Sequence, residues 1–244
     1  MRNIKAVIDY DGTDFFGFQK QPKVRTVQGE LEAALGKLLN EPVRVIGAGR
    51  TDAGVHATGQ VISFRAGGTI PIDRFRPALN GILPKDIRIK TVEQVSDEFH
   101  ARYSAKARTY VYSILNREIP SALLERYTWQ IIQPLDIEKM IAAAQKLIGI
   151  HDFASFGMPD KAGASTVRNL CECRIWRQKD LVLIKIKANA FLRGMARAIV
   201  GTLVEIGQGI LPVEGIVEIL AARNRQAVRL TAPPQGLFLV KVDY

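Results

Sequence analysis

Between residues 47 and 59 the chain reads Gly47-Ala48-Gly49-Arg50-Thr51-Asp52-Ala53-Gly54-Val55-His56-Ala57-Thr58-Gly59. Four glycines in thirteen residues relax the backbone and let a ligand come close to it. The same span gathers Arg50, Thr51, Asp52, His56 and Thr58 between two apolar runs. Polar residues on a loop held by rigid elements suit binding or catalysis. An aspartate among cations stays ionised and available as a nucleophile or base. The spacing also fits an Asx-turn, in which Asp52 bonds its own backbone beside Gly54, and the two readings stand level at this point.

Several familiar chemistries fail on spacing. No G-x-x-x-x-G-K-[ST] occurs, and G-x-G-x-x-G breaks where Asp52 stands in place of the third glycine. His56, His100 and His151 lie far apart, without the spacing of metal ligands. Cys171 and Cys173 are the only cysteines. On a strand they would share a face, their loop is too tight for an unstrained disulfide, and they read as reduced thiols. No G-x-S-x-G elbow is present.

Two further segments carry candidate side chains. Strand alternation through residues 108–115 puts Arg108, Tyr110 and Tyr112 on one face, either a stacking platform for bases or a packed sheet face. A helix expected from about Phe191 to Ile206 carries an apolar stripe, with Arg193 and Arg197 one turn apart beside it. Such arginines snorkel to solvent or turn inward to pair with a carboxylate.

The elements that must position these groups follow from periodicity and capping. Strands are expected near residues 5–10, 43–46, 60–65, 87–95, 108–115 and 236–242, with a hairpin of 167–177 and 181–188 across Lys179-Asp180. Helices are expected from Thr26 to about Asn40, near 73–80, from Asp136, and from Pro212 to about Arg223. Helices mixed with strands, without strict βαβα alternation, indicate an α+β protein of two halves, 1–104 and 105–244. The chain's 244 residues, 47% apolar and 24% charged, suit a globular protein with a proper core. No apolar run reaches the roughly 18 residues of a membrane span. The N-terminus shows no signal-peptide pattern, so a cytoplasmic protein is expected. The net charge is +10. The stretch from Lys161 to Arg197 holds nine basic and two acidic residues, a bias that favours a polyanionic partner, with Arg168, Arg174 and Lys185 as candidate phosphate contacts.

Together these segments resemble the TruA family of tRNA pseudouridine synthases. The carrying residues are Tyr10-Asp11-Gly12-Thr13 with Gly17-Phe18-Gln19-Lys20-Gln21, the loop Gly49–His56 with Gly59-Gln60-Val61, and Leu79-Asn80 with Leu83-Pro84. Phe99-His100-Ala101-Arg102 with Tyr110, His151-Asp152-Phe153 with Phe156, and Asn189-Ala190-Phe191-Leu192 with Met195, Arg197 and Gly201 complete the set. Phe18 departs from a common tryptophan, and Ala196 from the usual aliphatic residue. The resemblance implies two α/β halves sharing an extended, mostly antiparallel sheet with helices packed on it. It implies a homodimer that isomerises uridines 38, 39 and 40 in the anticodon stem-loop of tRNA, with no metal or cofactor. By the same resemblance Asp52 is the catalytic aspartate, Arg197 its basic partner, Tyr110 the ring stacked on the target base, and Arg50 the residue that holds the flipped nucleotide's place. Thr51 and His56 are further candidates for substrate contact. A non-catalytic basic RNA-binding module, and a small-molecule enzyme that binds phosphate on the glycine-rich loop, are the rival readings.

Overall fold

The computed structural model describes residues 1–161 and 163–244. Its elements begin β1 (Arg2–Tyr10), α1 (Val27–Leu39), β2 (Ile46–Gly47), β3 (His56–Ala66), α2 (Ile72–Ile82) and β4 (Ile87–Val95). They continue β5 (Ala107–Asn116), β6 (Trp129–Ile131), α3 (Ile137–Gln145), β7 (Gly149–Asp152), β8 (Val167–Gln178), β9 (Leu181–Ala188), α4 (Met195–Gly207), α5 (Gly215–Ala222) and β10 (Leu237–Asp243). The chain forms two compact units, Met1–Lys106 with Leu239–Tyr244, and Ala107–Phe238. Mostly antiparallel strand pairs with helices between them make each unit α+β. Among the described residues no helix is long and apolar enough to cross a membrane.

In the first unit β1 lies between β3 and β4, antiparallel to both. Its even residues Ile4, Ala6, Ile8 and Tyr10 are all buried, as a period of two requires. Ile8 faces Gln60 and Tyr10 faces Ala57, so β3 advances three residues where β1 advances two. Such a bulge re-aims side chains, and here it lies beside the glycine-rich loop. Because Tyr10 pairs with Ala57, β3 starts at His56; His56, Thr58 and Gly59 therefore belong to a strand and not to the loop. Thr26 caps α1, its side chain accepting from Gly29 N–H at 3.2 Å, and Asn40 ends the helix in the left-handed region at φ 53°. The expected strand at 43–46 is reduced to Ile46–Gly47. The cause is local: Glu32 accepts from Val45 N–H at 3.1 Å and Gln28 donates to Val45 C=O at 3.1 Å, so α1 side chains take the groups a ladder would use.

In the second unit β9 pairs along β5 and β8, and β7 extends β8; β6 runs parallel to β5. Tyr110 lies opposite Ile186 and Tyr112 opposite Ile184, all four buried. Lys185 and Lys187, the alternate residues of β9, consequently lie on the other face, opposite Arg174 and Glu172. Asp136 caps α3 by accepting from Lys139 N–H at 3.1 Å. Two expectations are corrected here. The register shifts between Leu170 and Glu172, placing Cys171 at a bulge, and Cys171 is exposed while Cys173 is buried. The two thiols therefore do not share a face. The helix expected from Phe191 begins at Met195, because Gly194 sits at φ 77° and Arg193 exchanges backbone hydrogen bonds with Met158 at 3.0 and 3.2 Å. Arg193 and Arg197 are thus not one helical turn apart.

Burial pushes the Cys173 thiol up to about 12, and thiolates are the reactive form. A disulfide reagent at pH 8 is expected to label one thiol of the native protein, Cys171, with the second labelled only on unfolding. Equal rates for both would contradict the bulge.

Candidate active site

The loop between β2 and β3 has few side chains to pack, and hydrogen bonds from neighbouring segments hold it instead. Ala48 N–H donates to Val61 C=O at 2.8 Å. Gln60 is fully buried; its amide donates to Gly49 C=O at 2.7 Å and accepts from Gly49 N–H at 3.3 Å. Arg50 follows, exposed. Thr51 is buried, its carbonyl accepting from Phe18 N–H at 3.1 Å and its hydroxyl 2.8 Å from that of Tyr10. Asp52, half-buried, opens a tight turn in which Val55 N–H donates to Asp52 C=O at 3.2 Å and Gly54 takes φ 77°, as the third position of a type II turn requires. Gly54 N–H then donates to Phe15 C=O at 3.3 Å. A backbone bond closes this turn, so the Asp52 carboxylate is not needed to close it.

The segment after β1 lies against this turn. A Cβ on Gly12 would stand 2.1 Å from the Val55 carbonyl oxygen, so only glycine lets the two backbones meet. Gly12 N–H donates to His56 Nδ1 at 2.9 Å, while Asp11 Oδ1 lies 3.2 Å from the same nitrogen. Nδ1 accepts from Gly12 only without a proton and donates to Asp11 only with one. The Gly12 donor is buried and takes His56 Nδ1 as its acceptor, which ties the start of β3 to the segment after β1. Arg25 braces the same segment. Its guanidinium bonds both oxygens of Asp86 at 2.7 and 2.9 Å and packs 4.2 Å over the Phe15 ring, and Asp11 N–H donates to Asp86 C=O at 3.0 Å.

The first unit thus brings together Asp52, Arg50, Thr51 and His56; Tyr110 and Arg197 belong to the second. Tyr110 is 7% exposed and meets the edge of the Phe191 ring at 4.8 Å. Arg108 donates to Asn189 C=O at 2.9 Å, and Tyr112 is fully buried with its hydroxyl donating to Pro233 C=O at 2.8 Å. Arg108 and Tyr112 on this strand face are engaged in packing, and Tyr110 keeps 7% of its surface exposed. Arg197, half-buried near the start of α4, donates from Nε to Ala232 C=O at 2.7 Å, which fixes its direction of approach. The basic stretch does not form one surface. Arg174 and Lys185 lie on the sheet face opposite Tyr110, Lys185 paired with Glu172 at 2.9 Å, whereas exposed Arg193 belongs to the segment carrying Phe191 beside the Tyr110 ring. Among the described residues no three His, Cys, Asp or Glu side chains gather as metal ligands would.

The sequence reading assigned no role to Tyr10 or Gln60, the residues that bond the loop most closely. The available signal was a hydrogen-bonding side chain at an inward position on each of two strands, a place that demands a hydrogen-bond partner. Gly12→Ala is expected to lower the free energy of unfolding by about 1–3 kcal/mol, the usual cost of overpacking. Urea denaturation measures it, and an unchanged midpoint would show that the two backbones can separate.

The model of a family described as tRNA pseudouridine synthase matches residues 6–104 and 143–244. A protein called tRNA pseudouridine synthase A from Thermoanaerobacter sp. (strain X514) is 44% identical over 244 residues, covering all of both chains. Proteins of the same name from Acetivibrio thermocellus and Brevibacillus brevis are also 44% identical over the whole of both chains. A solved archaeal box H/ACA sRNP Nop10-Cbf5 complex is a distant likeness, 11% identical at a TM-score of 0.36, covering 83% of this chain and 44% of that one. Matches that span the chain and include the clamped Asp52 loop have one consequence: this chain belongs to the tRNA pseudouridine synthase family.

Proposed function

We propose that this chain converts uridine to pseudouridine at positions 38, 39 and 40 in the anticodon stem-loop of tRNA, with Asp52 as the reacting carboxylate. The supporting observation is the full-length match to relatives named tRNA pseudouridine synthase A, in a chain that carries a half-buried aspartate on a turn closed by backbone bonds. A base in a stem leaves the stack before an enzyme reaches it, at a cost of a few kcal/mol. Arg50, exposed two residues before Asp52, fills the vacated space. Asp52 then either bonds to C1′, the N1–C1′ bond breaking with its electron pair going to uracil, or removes the 2′ proton to drive the same cleavage. In the first route C5 of the turned uracil displaces the Asp52 oxygen from C1′, and in the second C5 bonds to C1′ as the proton returns to C2′; in both, the hydrogen on C5 leaves as a proton and N1 gains one. Tyr110 is assigned as the aromatic partner of the base and Arg197 as the catalytic cation. Thr51 and His56, both buried against the end of β1, serve by holding Asp52 in place. The reading includes a homodimer working in the cytoplasm.

Asp52→Asn is expected to abolish tritium release from 5-tritiated uridine in tRNA while leaving tRNA binding within about twofold, since one uncharged substitution at a reacting group removes chemistry and not phosphate contacts. Normal turnover in this variant would remove Asp52 from the reaction. Tritium release absent from the unsubstituted protein, with salt-dependent tRNA binding intact, would support an RNA-binding module instead.

Charge on the two faces of the β5, β9 and β8 strands should separate in a salt titration. Arg193→Ala is expected to weaken tRNA binding and reduce the slope of log K against log salt by about one. Arg174→Ala, on the face opposite Tyr110, is expected to change neither. The reverse result would place the tRNA backbone on the Lys185 face.

A further inference from the structure

The structure points to two residues that touch no reacting atom but set where the reacting ones stand. We propose that Tyr10 and Gln60 are positioning residues for the isomerisation, gripping the backbone on both sides of Arg50 and so fixing the segment that presents Arg50 and Asp52. The proposal rests on the assignment of Asp52 as the reacting carboxylate.

The Gln60 amide is the first of these grips. Its orientation is not arbitrary: the Gly49 carbonyl at 2.7 Å requires the amide nitrogen, and the N–H groups of Gly49 and Val61, at 3.3 and 3.2 Å, require the amide oxygen. With its oxygen occupied by two backbone donors and an amide proton given to the Gly49 carbonyl, Gln60 holds the backbone on one side of Arg50. On the other side of Arg50 the Tyr10 hydroxyl shares a hydrogen bond with Thr51 Oγ1 at 2.8 Å. Burial pushes the Tyr10 phenol up to about 12, so it keeps its proton at any pH where tRNA is handled. Gln60 and Tyr10 thus hold the two residues that flank Arg50, and Gln60, Tyr10 and Thr51 are all buried.

These bonds fix Gly49 through its backbone and Thr51 through its side chain, while Phe18 N–H holds the Thr51 carbonyl at 3.1 Å. Arg50 is therefore clamped at both neighbours and exposed between them. Asp52 leaves the clamp directly into a turn whose far end is held by Phe15. Glycines on a free loop would sample many conformations, and a displacement of about 1 Å at a reacting group can cost about a hundredfold in rate.

The test compares Gln60→Leu, Tyr10→Phe, Thr51→Val and Thr51→Ser, with kcat and KM from tritium release and foldedness from thermal unfolding. Tyr10→Phe keeps the ring that packs on Phe18 and removes only the hydroxyl, so it remains informative if Gln60→Leu does not fold. Tyr10→Phe and Thr51→Val are each expected to lower kcat by about a hundredfold with KM for tRNA within about twofold. Their double variant should be no slower than either alone, and Thr51→Ser, which keeps the hydroxyl, should restore kcat. A kcat within twofold of the unsubstituted protein for Tyr10→Phe overturns the proposal, as does loss of activity in strict proportion to the unfolded fraction, or independent additive effects of the two hydroxyls. Full activity of Asp52→Asn overturns the underlying assignment instead, so the two failures are told apart.

Discussion

A glycine-rich loop cannot hold its shape by packing, because it has few side chains to bury, and its main-chain groups must find partners or lose several kcal/mol between them. In this chain the Asp52 loop meets that demand through donors and acceptors on neighbouring segments: Gln60 and Val61 on β3, Tyr10 at the end of β1, and Phe15 and Phe18 in the segment that follows. The rest of the first unit is arranged around keeping those segments in register. The bulge between Ile8 and Tyr10 sets Tyr10 against Ala57. Gly12 admits Val55 to van der Waals overlap with any larger residue, and Arg25 ties the 11–18 segment to Asp86 and Glu30. Flexibility in composition is thereby turned into rigidity in the fold, and Asp52 stands on a backbone with little freedom left.

The second unit solves a different problem, the separation of an apolar face from a charged one within a single sheet. Alternation along β5, β8 and β9 sends Tyr110, Tyr112, Ile184 and Ile186 to the buried side and Arg174, Lys185 and Lys187 to the other. A linear count of charge between residues 161 and 197 merges two surfaces that the pleat keeps apart. The lysines and arginines of that stretch consequently differ in environment: Lys185 is neutralised by Glu172, Arg168 bonds the backbone carbonyls of Ser165 and Val167, and Arg193 is exposed at the approach to α4.

Much of the architecture was legible in the sequence. The limits of β4, the hairpin of β8 and β9, and α1 with its Thr26 cap all follow from short-range rules of alternation, turn residues and capping. Where the reading failed, a neighbour from elsewhere in the chain had intervened. Val45 left its strand because Gln28 and Glu32 occupied its backbone. Cys171 and Cys173 parted because the ladder with β9 slips by one residue, and α4 started late because Arg193 pairs with Met158, thirty-five residues away.

For the site itself, the sequence by itself determined the chemical inventory: a carboxylate, a cation and a cluster of glycines at a spacing that matches a family. These are local properties, and local order in the chain preserves them. Only the tertiary structure decided what holds that inventory still. Tyr10 meets Thr51 across 41 residues and Gln60 meets Gly49 across 11, and the direction of each hydrogen bond depends on every other acceptor within reach. Such choices belong to the packed fold, since a buried donor is satisfied by whatever the folded chain brings within about 3 Å of it.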